Sequence, residues 1–265
     1  MLIDRDNFII SKQNDYFKMA VYSTVGGRDD QQDSAGYEMN DNSGIFVVCD
    51  GMGGHQGGKK SSSIAVNSII DNYDASRPDS DVNEMLLNGI NEADERVSTL
   101  KNEFGDLLRG GTTAAVAVIR RRNLYWISAG DSRIYIYRKG EFVQITTDHI
   151  YEVALRENKE AGLITQDFYD AEIARGEVLI SFVGVGGLPL IDKSINPVTL
   201  QKDDLVLIMS DGLYKNVPDK YIKRCVENFK NPIDSLHALE NRVRKMTEED
   251  KSVRDNMTVM IIRMN

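Results

Sequence analysis

Cysteine and histidine are scarce in this sequence, with two and three residues among 265. Cys49 lies in an apolar run and Cys225 in a helix-like segment, and this pattern suits neither a disulfide framework nor a zinc site. Proline is also rare, with five residues, and no repeat or low-complexity tract divides the chain. We therefore expect a single domain.

Positive charge is in deficit, because 32 lysines and arginines stand against 41 aspartates and glutamates. The net charge of −9 argues against a nucleic-acid partner, which requires a basic surface. The triplet Arg120, Arg121 and Arg122 is a local exception that we interpret as a solvated turn. No apolar stretch approaches the roughly 20 residues that cross a bilayer, and the N-terminal residues lack an apolar signal segment. We therefore expect a cytoplasmic protein with no membrane segment.

The stretch from residue 45 to residue 58 joins an apolar run to a glycine-rich turn. Residues 45–49 contain no charged side chain, as is typical of a strand buried on both faces. Asp50 and Gly51 follow directly, and helical spacing of apolar residues begins near Ser61. A carboxylate at the end of a buried strand is costly unless a cation or hydrogen bonds compensate it. Asp50 therefore requires a partner elsewhere in the chain.

Apolar periodicity predicts a mixture of strands and helices. The predicted strands are 17–25, 45–49, 205–209 and 257–263, together with an antiparallel meander at 112–119, 124–129, 134–137 and 142–145. The predicted helices are 61–73, 82–100, 151–159, 168–174, 218–228 and 233–246. Residues 178–183 also resemble a strand. We interpret the more polar segment 151–185, here called the flap segment, as a mobile flap that lies outside the sheet.

Aspartates recur where the chain enters or leaves a predicted strand. Asp50 and Asp211 each close a buried strand and precede glycine, Asp131 lies in the turn G-D-S-R, and Asp255 opens the last strand. Each aspartate alone is compatible with a simple turn. A helix follows both Asp50 and Asp211, however, which places them where a shared site can form. Clustered carboxylates without histidine or thiolate neighbours favour Mg²⁺ or Mn²⁺.

Seven short motifs occur in an order that resembles a known enzyme family. They are R-D-D-Q-Q-D, D-G-M-G-G-H, G-G-T-T, G-D-S-R, T-T-D-H, S-D-G and D-N-M-T. The set is similar to that of metal-dependent protein serine/threonine phosphatases of the 2C type, and D-G-M-G-G-H is typical of the bacterial branch. The resemblance extends from residue 19 to residue 263. It implies an α+β fold, a four-layer sandwich of two antiparallel β-sheets flanked by α-helices on both sides.

The same resemblance implies a function. The chain would hydrolyse phosphoserine and phosphothreonine on phosphorylated protein substrates, through a hydroxide that bridges two metal ions, Mn²⁺ or Mg²⁺. Two bound cations lower the pKa of a bridging water and neutralise the phosphoryl oxygens. The partner would be a cognate bacterial serine/threonine kinase that the phosphatase opposes. Residues 1–265 would form one catalytic domain, which we expect to be a monomer.

The resemblance also assigns metal ligands residue by residue. Asp50 would bridge the two ions, with the carbonyl of Gly51 on one ion and with Asp211 and Asp255 on the other. Asp131 would form a third ion position together with Asp211. All of these residues are present in the sequence, so the resemblance implies an active enzyme.

Three more residues complete the implied site. Asp33 would hold waters bound to the ions, and Arg28 would hold the substrate phosphate because a guanidinium binds phosphate in a bidentate manner. The alternative for Arg28 is an ordinary surface arginine. His55 is either the proton donor to the departing oxygen or a residue that stabilises its loop. Many eukaryotic members carry a histidine directly after the Asp-Gly pair, where this chain has Met52.

Two rival functions remain open from the sequence. Residues 53–61, G-G-H-Q-G-G-K-K-S, nearly spell a phosphate-binding P-loop, but the position that needs a hydroxyl holds Lys60. A nucleotide hydrolase is therefore one alternative. The other is a non-catalytic sensor or binding module on the same fold, or an enzyme whose flap segment makes its activity depend on a partner. Loss of a metal aspartate would indicate the non-catalytic module.

Overall fold

The apolar runs at residues 45–49 and 205–209 each form an interior strand of an antiparallel β-sheet, and the two strands belong to different sheets. The computed structural model describes residues 1–3, 7–73, 80–250 and 254–265. The first sheet has the order β1 (Leu2–Ile3), β4 (Ser34–Met39), β5 (Ser43–Cys49), β8 (Ala114–Arg120), β9 (Asn123–Ala129) and β12 (Asp192–Lys193), with β13 (Val198–Thr199) also on β9. The second has the order β11 (Glu141–Gln144), β10 (Arg133–Arg138), β14 (Leu205–Met209), β15 (Met257–Met264), β3 (Phe17–Thr24) and β2 (Asn7–Gln13). Every residue of β5 and of β14 is buried.

Helices cover the outer face of each sheet. The first sheet packs against α1 (Gly54–Asp71) and α2 (Val82–Ser98), and the second packs against α5 (Asp211–Tyr214), α6 (Asp219–Asn228) and α7 (Pro232–Met246). Between the sheets, Phe17 and Phe46 meet edge to face with ring centroids 5.7 Å apart. This four-layer α+β sandwich confirms the predicted fold. Within the described residues, no helix is both long and apolar enough to cross a bilayer.

The predicted meander is divided between the two sheets, which corrects the sequence interpretation. β8 pairs with β9 in the first sheet, whereas β10 pairs with β11 and β14 in the second. The chain crosses from one sheet to the other at Gly130, whose φ of 100° suits glycine. This crossover places Asp131 where the ends of both sheets meet.

The flap segment contains α3 (Tyr151–Glu160), α4 (Gln166–Glu172) and a 3-10 helix (Ile173–Arg175). The strand predicted at 178–183 is absent from these described residues, which form only isolated bridges, from Leu179 to Ile150 and from Val183 to Thr112. Leu155 is the buried side chain of α3, and α4 buries none. The helices of this segment thus lie mostly on the surface.

Candidate functional site

Asp50 stands at the end of β5 and is held there by the G-G-T-T motif. Its backbone N–H donates to Thr113 Oγ1 over 2.9 Å, and its carbonyl accepts from Thr113 N and Thr112 Oγ1, each over 2.8 Å. Gly51 follows in a short strand pair between β6 (Gly51–Met52) and β7 (Gly111–Thr112). These contacts fix the backbone on both sides of the Asp50 side chain.

Asp211 occupies the matching position in the second sheet. β14 ends at Met209, and Asp211 begins α5 after Ser210. A Cβ on Gly212 would lie 2.0 Å from the carbonyl oxygen of Asn256, so only glycine permits this close approach. The beginning of α5 is therefore packed against Asn256 and Met257, where β15 begins.

Asp33 is nearly inaccessible, with 2% of its surface exposed. Ser210 Oγ donates to its Oδ2 over 2.8 Å, and Gln31 Oε1 accepts from its backbone N–H over 3.2 Å. Its Oδ1 is buried and has no hydrogen-bond partner in the part of the chain that the structure describes. Burial raises the pKa of Asp33 to about 7, and repulsion from Asp211 and Asp255 adds to this effect.

The carboxylates from the two sheets meet at one end of the sandwich. Burial raises the pKa of Asp50 well above its ordinary value, and the charges of Asp33, Asp211 and Asp131 raise it further. The Asp50 side chain is also in hydrogen-bonding contact with that of Asp211. The pKa of Asp131 is raised by burial and by Asp211. The cluster thus holds more negative charge than its surroundings neutralise.

Two basic side chains compensate part of this charge. Arg28 Nη2 lies 2.6 Å from Asp255 Oδ2, and Lys215 Nζ lies 2.8 Å from Asp211 Oδ2. Together with Asp50 and Gly51, the residues Arg28, Asp211 and Asp255 line a cavity of about 430 Å³. The structure therefore brings the predicted phosphate-binding arginine and three predicted metal aspartates to one cavity.

The donor set fits hard divalent cations. Among the described residues, no group of three or more His, Cys, Asp or Glu side chains is already arranged to hold an ion. The buried Oδ1 of Asp33 has no partner among them. Burial, with added repulsion between the carboxylates, raises the pKa of both Asp33 and Asp50. Bound cations would compensate the unpaired buried oxygen and would reduce the repulsion between the carboxylates. Carboxylate and carbonyl oxygens are also the ligands that Mg²⁺ and Mn²⁺ prefer.

The predicted glycine loop is shorter than expected. α1 begins at Gly54 rather than near Ser61, and Gly53 precedes it with a φ of 111°. The P-loop-like residues 53–61 are thus mostly helical. His55 lies in the first turn of α1, but its side chain is outside the described part of the structure, so its role stays a prediction.

The sequence interpretation assigned no role to Asn256. The Asn256 amide Nδ2 donates to the carbonyls of Val25 and Asp30, each over 2.9 Å, and its Oδ1 accepts from Gln32 N over 2.8 Å. Asn256 therefore fixes the loop that carries Arg28. Asn256 is the second residue of the motif D-N-M-T, but the motif does not show which backbone groups form hydrogen bonds with it.

Comparison with known proteins agrees with this geometry. The sequence model of the family described as "Protein phosphatase 2C" matches residues 10–154. The chain belongs to this family and is a metal-dependent protein phosphatase of the Mn²⁺- or Mg²⁺-dependent kind. The comparisons do not favour the rival functions.

Related proteins include the serine/threonine phosphatase stp of Listeria welshimeri, which is 27% identical over 243 residues, covering 90% of this chain and 92% of the relative. The protein phosphatase PhpP of Streptococcus pneumoniae is 27% identical over 224 residues, covering 83% and 86%. Among solved structures, the S. agalactiae serine/threonine phosphatase has a TM-score of 0.78 at 23% identity, covering 94% and 100%. The PstP catalytic domain in complex with two manganese ions has a TM-score of 0.69 at 23% identity, covering 94% and 98%.

Proposed function

We propose that this chain removes phosphate from phosphoserine and phosphothreonine in proteins, and that Arg28, Asp33, Asp50, Asp211 and Asp255 form the active site. The observation that carries the proposal is the convergence of these side chains from both sheets on one end of the sandwich. The relatives named serine/threonine phosphatases support the substrate class. Residues 1–265 would act as one catalytic domain.

The metal centre would be binuclear. Asp50, the Gly51 carbonyl, Asp211 and Asp255 would hold the ions, and Asp33 would accept hydrogen bonds from waters in the ions' hydration shells. When bound, the ions supply an activated water near neutral pH and positive charge for the phosphoryl oxygens. The chain's own part is to bring four carboxylates together at the ends of the two sheets.

Arg28 would bind the substrate phosphate at the mouth of the cavity. One of its nitrogens contacts Asp255, and 58% of its side chain is exposed. The rest of the guanidinium can therefore take up an incoming phosphate through charge-assisted hydrogen bonds. Binding there would orient the phosphorus toward the carboxylate cluster.

Proton transfer to the departing serine or threonine oxygen stays assigned to His55 as a prediction. The opposing kinase, the role in signal transduction, the monomeric state, the cytoplasmic location and the mobility of the flap segment are predictions of the same kind.

The substrate class can be tested directly. The purified chain is incubated with Mn²⁺ and with peptides of one sequence that carry phosphoserine, phosphothreonine or no phosphate, and with ATP in parallel. We expect phosphate release from the two phosphopeptides and none from ATP. Release from ATP alone would support the nucleotide hydrolase instead.

A further inference from the structure

Lys215 places a positive charge between carboxylates from three parts of the chain. It follows α5 directly, and its Nζ lies 2.8 Å from Asp211 Oδ2, four residues earlier in the chain. The same nitrogen lies 4.0 Å from Asp131 Oδ2, at the crossover between the sheets, and 3.5 Å from Glu177 Oε2 in the flap segment. No motif identified in the sequence includes this lysine.

We propose that the Lys215 ammonium is a built-in cation at the position shared by Asp131 and Asp211, so that the site binds two divalent ions and excludes a third. This inference rests on the proposed function. An ion held by both carboxylates would need their oxygens at about 2.0–2.1 Å if it were Mg²⁺. It would therefore have to displace an ammonium that already contacts Asp211.

The burial of the two aspartates supports this assignment. The side chains of Asp131 and Asp211 are only 11% and 16% exposed. Water therefore screens their charges weakly, and a neighbouring cation is favoured. A surface pair within one helix would be worth little, but Asp131 comes from another part of the fold. Lys215 thus neutralises two converging carboxylates rather than one exposed neighbour.

A second side chain contacts Oδ2 of Asp131, the same oxygen that faces Lys215. Tyr214 donates its hydroxyl hydrogen to Asp131 Oδ2 over 3.0 Å. The Arg133 guanidinium lies 3.6 Å from the centre of the Tyr214 ring, and Arg133 is paired with Asp148 at 2.7 Å. These contacts hold Tyr214 in place. The chain therefore supplies both a hydroxyl donor and an ammonium to an oxygen that a third ion would need.

The experiment counts bound ions. Mn²⁺ bound at saturation is measured by equilibrium dialysis and elemental analysis for the wild type, Lys215→Met and Lys215→Gln. Lys215→Arg keeps the charge, and Glu177→Gln removes the flap-segment partner, whose side chain is 82% exposed. We expect two ions in the wild type, Lys215→Arg and Glu177→Gln, and a third, weaker ion in both neutral variants.

Three ions in the wild type would overturn the proposal, whether or not the variants fold. Two ions in a folded Lys215→Met or Lys215→Gln protein would also overturn it, and circular dichroism establishes that these variants are folded. Phosphopeptide hydrolysis by the wild type is measured on the same samples. A wild type that binds two ions but releases no phosphate would contradict the proposed function and leave the role of Lys215 intact.

Discussion

Arg28 and Asp255 form an ion pair with 2.6 Å between Nη2 and Oδ2, although they are 227 positions apart in the sequence. The pair joins the loop after β3 to the residues just before β15. Arg28 therefore neutralises a predicted metal ligand in this structure and is also the group expected to meet the substrate. A bound phosphate would share the guanidinium with Asp255.

We predict that Arg28→Ala lowers kcat/KM for a phosphothreonine peptide by about 10- to 100-fold, since hydrogen bonds to charged groups contribute roughly 1.5–3 kcal/mol. An increase in KM alone would mean that Arg28 binds substrate and transition state equally. Steady-state kinetics separate the two parameters. Arg28→Lys keeps the charge without the bidentate geometry, so its kcat/KM should lie between the values of the wild type and Arg28→Ala. An unchanged kcat/KM would contradict the phosphate-binding role.

Asp94 on α2 anchors the turn at residues 184–187, where the flap segment ends. Its carboxylate accepts hydrogen bonds from the backbone N–H groups of Gly184, Gly186 and Gly187, over 2.7, 3.2 and 2.5 Å. Asp94→Ala should lower the free energy of unfolding by about 1.5–3 kcal/mol, because three backbone N–H groups lose a charged acceptor that is itself buried. Urea unfolding measures this loss.

Glu95→Ala is the matched control for Asp94→Ala. Glu95 is the next residue of α2 and is exposed, so its replacement should change the free energy of unfolding by less than about 0.5 kcal/mol. If the two variants unfold at the same urea concentration, the turn at residues 184–187 does not depend on Asp94.

His149 should make stability depend on pH. It is 5% exposed, and its Nδ1 accepts from Gly130 N over 3.2 Å. Burial lowers its pKa below 6.5, although Asp192 and Asp148 oppose the shift. The unfolded chain therefore takes up a proton near pH 6.5, where the folded chain does not. Stability is fully present above that pH and falls as the pH decreases below it.

The measurement is urea unfolding at pH 7.5 and pH 5.5 for the wild type and His149→Gln. The glutamine does not titrate, so the variant should lose less stability than the wild type between these two values. Equal losses would show that His149 does not contribute to the pH dependence.

The sequence predicted the parts of the fold that continuous apolar runs specify. β5 and β14 were expected because a continuous apolar run is typical of a strand buried on both faces. β2 was not predicted, since it lies at a sheet edge and most of its residues are exposed or polar. The beginning of α1 was placed too late because Gly54, Gly57 and Gly58 carry no helical signal. The crossover at Gly130 was missed because strand patterns do not show which sheet a strand joins.

The candidate site was predictable to the extent that short motifs carry it. Arg28, Asp50, Asp211 and Asp255 do line one cavity. Asp33 and Asp131 are not part of its lining, although both are close enough to raise the pKa of Asp50. The roles of all six residues stay proposals. Lys215 and Asp94 could not be found in this way, because their partners lie in distant segments. Lys215 Nζ lies 4.0 Å from Asp131 Oδ2, and Gly184 N donates to Asp94 Oδ1 over 2.7 Å. Both contacts depend on how the elements pack, which a sequence pattern does not show.

The most direct measurement is phosphate release from a phosphothreonine peptide with Mn²⁺, with Mg²⁺ and with a chelator. Asp211→Asn is assayed beside the wild type, and Asp15→Asn, in the exposed turn between β2 and β3, is the control. We predict metal-dependent release that Asp211→Asn lowers at least about 100-fold and Asp15→Asn leaves unchanged. Equal release with chelator, or full activity of Asp211→Asn, would contradict a metal centre built on these aspartates.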